Sequence, residues 1–306
     1  KKLGLAERVG PLLDTVYGQY GEYPGAYILF ETVCYAFQLY TDFSGGMDIV
    51  LGISESFGIA LPENFETPFF AKSISEYWRR WHITLGVWMK EYVFYPVLRT
   101  KAFTKLNKKW KEKFGKKKGK QYTTFAAMFI LWFTVGVWHG GDWKYVIGSG
   151  LLHWCYIVLE ELLAAPCARA MDRMHIRADG KGIAVVRVLR TFFLVCIGDL
   201  FFRAASVGDA FAMLAKAVAV WNPQILWNGA LLNLGLEPEE LLIALVSLLI
   251  LWLVSCLQQK ESVRERIGRK PLPVRWVIWY ALLFYVILLG CYGPGYSASE
   301  FIDQGF

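Results

Sequence analysis

The chain has 306 residues, is 55% apolar and carries 13 Trp, 16 Tyr and 21 Phe, and several long stretches hold almost no charge, which argues against a soluble globule. Its net charge of +7 is concentrated in the connections between those stretches, a placement that points away from nucleic acid and towards a membrane. The six cysteines, at 34, 155, 167, 196, 256 and 291, show no CxxC or metal-like spacing; packing is their simplest role, and no disulfide framework is implied.

Residues 1–25 read as a loop or a short interfacial helix. The chain opens on a polar stretch without a secretory n-region, so further N-terminal helices are expected to precede it. Residues 27–40 read as a membrane helix running into Asp42-Phe43-Ser44-Gly45-Gly46-Met47-Asp48. Glu31, Asp42 and Asp48 are costly at membrane depth; they either face the protein interior or a wet cavity, or sit at the interface. Within residues 73–98, Trp78, Trp81, Leu85, Trp88 and Tyr92 recur at helical spacing, which predicts one face of a helix. Glu76 and Arg80 form an i,i+4 pair. Ser73 or Ser75 is placed to cap the start and Pro96 to mark the end. Charge this dense fits an interfacial or re-entrant helix, not a lipid-exposed span.

Residues 99–120 read as a Lys-rich cytoplasmic loop, with 11 Lys or Arg against Glu112 alone. That surplus exceeds the charge of the whole chain, so the remainder is net acidic. Uncharged stretches follow at 121–141, 241–259 and 276–299, each near the roughly 20 residues needed to cross a bilayer. Residues 27–40, 145–163 and 188–202 are weaker candidates. The stretch from 121 stops at Trp138-His139-Gly140-Gly141, where two glycines make helix continuation costly. Residues 207–221 read as amphipathic, broken by Asn222 and Pro223. Further basic connections lie at 165–187 and 258–275. Threaded in order, the basic connections fall on one side, and the opposite ones are nearly free of Lys and Arg. The positive-inside pattern therefore places them in the cytoplasm and the C-terminus outside. The fold expected is an all-α, multi-pass transmembrane helical bundle with interfacial or re-entrant helices and no internal repeat.

Only four histidines are present. His175, in a basic connection, reads as solvated, and His153, in an apolar run beside Trp154, as a hydrogen-bonded packing residue. His82 and His139 sit in aromatic, membrane-embedded settings beside structural breaks. A buried neutral imidazole there can act as a general base, although spacing alone favours packing over catalysis. No HxxxH, HExxH, GxSxG or glycine-rich phosphate loop occurs, so no metal site is read.

Trp78-Arg79-Arg80-Trp81-His82-Ile83-Thr84-Leu85, with Trp88 and Tyr92, resembles the RWH segment of the membrane-bound O-acyltransferases. Val137-Trp138-His139-Gly140 resembles the WHG motif of the same family, and Asp42-Phe43-Ser44-Gly45 with Asp48 its DFSG element. Phe201-Phe202-Arg203-Ala204 and the closing run from Tyr292-Gly293-Pro294-Gly295-Tyr296 to Phe306 are similar to the bacterial branch that includes alginate O-acetylation, although FIDQGF departs from that branch's aromatic-rich ending. The resemblance runs from about residue 27 to the end, in the family's order. It implies one transmembrane domain over 1–306, the C-terminal two-thirds of the family fold.

The resemblance implies that His139 is the catalytic histidine and His82 a second functional histidine, with Trp81, Trp138, Asp42, Ser44, Arg80 and Gly140 contacting substrate. It implies acyl transfer, most simply of acetyl, to a hydroxyl of an extracytoplasmic polysaccharide in the bacterial cytoplasmic (inner) membrane. No cofactor is expected to be bound; the donor would be acetyl-CoA or an acyl-carrier-protein thioester, and a carrier protein or an extracytoplasmic acyltransferase could be partners. D-alanyl transfer towards teichoic acid is the alternative within the family. Outside it, Glu31, Asp42 and Asp199 would suit a transporter, and a non-catalytic scaffold is a third reading. The Lys-rich segment either anchors topology against anionic lipid or docks an acidic donor.

Overall fold

The computed structural model describes residues 1–292; the closing motif from Gly293 to Phe306 lies outside the described residues. The described chain is all-α. After a π turn at Lys2–Ala6 come α1 (Glu7–Gly18), α2 (Gly25–Ser56), α3 (Ile74–Tyr77), α4 (Ile83–Met89), α5 (Tyr95–Arg99), α6 (Lys101–Phe114) and α7 (Lys116–Trp138). Then follow α8 (Trp143–Tyr145), a π turn at Val146–Leu151, α9 (Leu152–Arg173), α10 (Lys181–Arg203), α11 (Val207–Ala219), α12 (Pro238–Gln258), α13 (Val263–Gly268) and α14 (Leu272–Leu289). Among the described residues the only extended pairing is an isolated antiparallel bridge between Phe65 and Trp81.

Among the described residues three helices are long and apolar enough to cross a membrane: Trp143–Arg173, Pro238–Gln258 and Leu272–Leu289. The last buries none of its side chains, and Trp276, Leu283 and Ile287 stand exposed along it. An apolar surface of that length suits hydrocarbon, not water. The uncharged stretch 121–141 forms most of α7, where Gln121, Tyr122 and three threonines make it less apolar than those three.

Three expectations are corrected. Residues 99–120 do not form a loop: α6 fills most of them, capped by Thr100, whose hydroxyl accepts from the Phe103 N–H. Lys is a good helix former, and the aromatic stripe of α6 finds a partner in α7, with Trp110 and Phe114 against Tyr122. Residues 73–98 are not one helix but α3, a non-helical break, α4, a π turn and α5, and Pro96 lies in the first turn of α5, not at an end. Residues 1–25, read as a loop or a short helix, are largely helical. The Asp42–Asp48 run continues α2, two glycines included, because tertiary packing overrides their weak helix propensity,.

The chain divides into two compact units. Among the described residues the first comprises Lys1–Leu61 and residues 211–292. In it α1 buries Leu12, Leu13 and Val16 and packs on α2, with Tyr17 against Tyr35 at 6.2 Å. A Cβ at Gly25 would meet the backbone of Lys216 and Ala217 at 2.5–2.7 Å, so only glycine lets α11 approach there,. Glu31 and Asp42 are buried, Asp42 in an ion pair with Lys2. Both therefore face the protein interior, as one of the two sequence readings has it. Asp48 is half-exposed and pairs with Lys1 at 2.7 Å.

The second unit contains Pro62–Ala210 and carries both aromatic-flanked histidines. Here α7, the Val146–Leu151 turn and α10 pack closely through small residues, as helices in lipid commonly do. A Cβ on Gly136 would lie 2.5 Å from the Val146 Cα. A Cβ on Gly198 would lie 2.7 Å from the His153 Nε2.

Candidate functional site

His139 caps the C-terminus of α7. Its N–H still closes the helix on the Val135 carbonyl at 3.1 Å, and Gly140 and Gly141 then take φ of +118° and +75°. Those angles stop the helix and are open to glycine at little cost. The imidazole is only 7% exposed, edge-on to Trp138 at 4.9 Å and to Phe202 at 5.3 Å. Phe202 in turn meets Tyr145 at 4.8 Å.

His82 reaches the same place by a different route. It lies between α3 and α4 with φ +46° and ψ +53°, left-handed and rare for a non-glycine residue,. Segment 64–66 holds it there. The Ile83 N–H donates to the Asn64 carbonyl at 3.1 Å, the Glu66 N–H donates to the Arg80 carbonyl at 2.9 Å, and Phe65 bridges Trp81. The His82 ring lies 5.9 Å from that of Trp138. Trp138 thus neighbours both histidines, and it is 41% exposed.

A cavity of about 460 Å³ opens beside His82. Its walls include Trp78, Trp132, Met128, Leu131 and Val135, and Arg79 and Lys90 are the two cations that line it. His153, 3% exposed, accepts from the Trp78 Nε1–H at 3.2 Å and stacks on Trp132 at 5.8 Å, so it braces two of those walls. This is the packing role its sequence context suggests.

The remaining sequence candidates divide. Trp81 stacks on Tyr77 at 5.6 Å and meets Phe65 edge-on at 5.0 Å. Arg80 pairs with Glu76 at 2.6 Å and donates to the Thr67 hydroxyl at 3.1 Å. Ser73 caps α3, its hydroxyl accepting from the Glu76 N–H at 3.0 Å. Gly140 adjoins His139. Asp42 and Ser44 lie on α2 in the first unit, both buried. Sequence reasoning missed Asn64, Trp132 and Phe202. Only Phe202 carried a signal, in the Phe-Phe-Arg-Ala run.

The sequence profile described as MBOAT, the membrane-bound O-acyltransferase family, matches residues 16–206. The chain is 29% identical over 215 residues to a probable alginate O-acetylase of Azotobacter vinelandii, covering 70% of this chain and 37% of that protein. It is 30% identical over 212 residues to a peptidoglycan O-acetyltransferase of Helicobacter pylori (69% and 34%). It is 30% identical over 172 residues to a teichoic acid D-alanyltransferase of Bacillus subtilis (55% and 39%). This chain therefore spans well under half the length of the curated relatives it matches.

Proposed function

Since this chain belongs to the membrane-bound O-acyltransferase family, in its alginate O-acetylase-like branch, we propose that it moves an acyl group, acetyl in the first instance, from a thioester donor to a hydroxyl of a polysaccharide. One observation carries the reading: His139 and His82 share Trp138, and His82 also lines a largely apolar cavity. A cavity with those walls accepts an acyl-thioester arm and keeps water from it, while Arg79 and Lys90 suit the phosphates of coenzyme A or of a carrier-protein arm.

In this reading the acceptor hydroxyl gives its proton to the His139 imidazole as its oxygen attacks the thioester carbonyl carbon. The tetrahedral intermediate collapses with cleavage of the carbon–sulfur bond. The thiolate leaves and takes the proton back, giving ester and thiol. The basic segments face a cytoplasmic donor and the acceptor lies outside, with the chain crossing the cytoplasmic membrane several times. The Lys-rich α6 then faces either anionic lipid or the donor.

The test is polysaccharide O-acetylation, read by NMR of surface glycan, in cells carrying the full-length protein with His139 or His139→Ala at matched expression. Loss of the acetyl esters is expected. Unchanged acetylation would sink the assignment. The relationship to a teichoic acid D-alanyltransferase supports a second reading, the same chemistry on a D-alanyl thioester, and D-alanyl esters would be measured next. A transporter would instead tolerate His139→Ala better than loss of a buried carboxylate such as Glu31.

A further inference from the structure

We propose that Asn64 is a positioning residue that fixes His82 in the tautomer protonated on Nδ1, leaving the lone pair on Nε2. The inference rests on the acyl-transfer reading for its consequence, but not for its geometry. The Asn64 Oδ1 accepts from the Thr84 N–H at 3.1 Å and from the Thr84 hydroxyl at 2.7 Å. A backbone N–H can only donate, so the amide atom turned towards Thr84 is the oxygen; a flipped amide would set two donors face to face. That same oxygen lies 3.2 Å from His82 Nδ1. An amide oxygen offers only lone pairs, so Nδ1 carries the hydrogen and donates it.

The backbone prevents the ring from choosing otherwise. Asn64 is 4% exposed. Its carbonyl holds Ile83, and the Glu66–Arg80 bond and the Phe65–Trp81 bridge hold the chain just before His82. The asparagine is thus tied to the histidine on both flanks. Without a hydrogen on Nδ1, two lone pairs would face each other at 3.2 Å in a buried place, which favours the Nδ1–H form.

The consequence for acyl transfer is specific. With hydrogen on Nδ1 and the lone pair on Nε2, His82 offers a hydrogen-bond acceptor to a bound molecule. In this form it can take a hydrogen bond from an N–H or O–H of the donor arm or the acceptor. It cannot donate from Nε2 to the oxyanion that forms on the thioester carbonyl, so that charge must be met by other donors.

The tautomer can be read directly by nitrogen NMR of the full-length protein, histidine-labelled with ¹⁵N and held in lipid nanodiscs, with His82 assigned by its loss in His82→Gln. The wild type and Asn64→Asp should show a protonated Nδ1 and an unprotonated Nε2. In Asn64→Ala the proton should shift to Nε2 or exchange between the two nitrogens. The kcat of Asn64→Ala should fall about 100-fold and that of Asn64→Asp recover to within about tenfold of wild type. A wild-type His82 protonated on Nε2 overturns the proposal, with no variant required. So does an Asn64→Ala protein that keeps Nδ1 protonation. Because this readout needs no turnover, full activity in His139→Ala would refute the acyl-transfer assignment and leave the tautomer result standing. The converse holds too.

Discussion

The two histidines that share Trp138 are held by opposite kinds of structure. His139 is placed by local means: a long helix runs to Trp138, keeps its hydrogen bond through the His139 N–H, and is stopped by two glycines in the next two positions. His82 is placed by distant residues. Its left-handed backbone exists because a segment some eighteen residues upstream in sequence pairs with Arg80 and Ile83 and clamps the ring through Asn64. A locally built position is robust and easily read. A remotely built one can hold a strained backbone and a chosen tautomer, at the cost of depending on residues far along the chain.

The largest expected effect tests whether the two positions serve one reaction. His139→Ala and His82→Ala should each lower acyl transfer at least about 100-fold. If they act on the same step, the double variant should lose little beyond the worse single one, since groups that act as a unit are not additive. Multiplying losses in a kinetic assay of the purified full-length protein would mean that the two histidines work separately.

Next comes the helix stop. Gly140→Val puts a β-branched residue at φ +118°, so it should destabilise the fold by about 1–3 kcal/mol and displace His139. Thermal unfolding and acyl transfer should fall together. A variant as stable and active as wild type would show that α7 can end another way.

A smaller effect separates backbone from side chain at the other histidine. Both His82→Gly and His82→Val remove the imidazole, but the left-handed backbone should make the glycine variant more stable by about 1–2 kcal/mol. Equal unfolding midpoints would argue against the strained backbone at 82. Smallest of all, Arg80→Ala removes a partly exposed pair with Glu76 and should cost no more than about 1 kcal/mol. A large loss of stability would assign Arg80 more of the clamp than its contacts suggest.

What the sequence revealed follows the same division. The stop at His139-Gly140-Gly141, the Ser73 cap, the Glu76–Arg80 pair and the apolar helices α12 and α14 are all written in residues a few positions apart, and all are found. The stripe Trp78, Trp81, Leu85, Trp88 and Tyr92 misleads for the same reason. Its period is helical, but Trp81 is drawn into a bridge with Phe65, and periodicity carries no trace of that pairing. The Lys-rich segment misleads in the other direction: its charge suggests a loop, while Lys favours helix and the aromatic stripe of α6 packs on α7. Asn64 had no local signal at all, because its role exists only where the fold brings it against His82 and Thr84.

The central claim is that acyl chemistry runs on the His82–Trp138–His139 cluster. Its most direct test uses the full-length protein in nanodiscs with a radiolabelled acetyl thioester and a polysaccharide acceptor, following alkali-labile label on the glycan. The account predicts label transfer by the wild type and at least about a 100-fold slower transfer by His139→Ala, with the protein folded and inserted in both. Transfer at the wild-type rate by His139→Ala would contradict it.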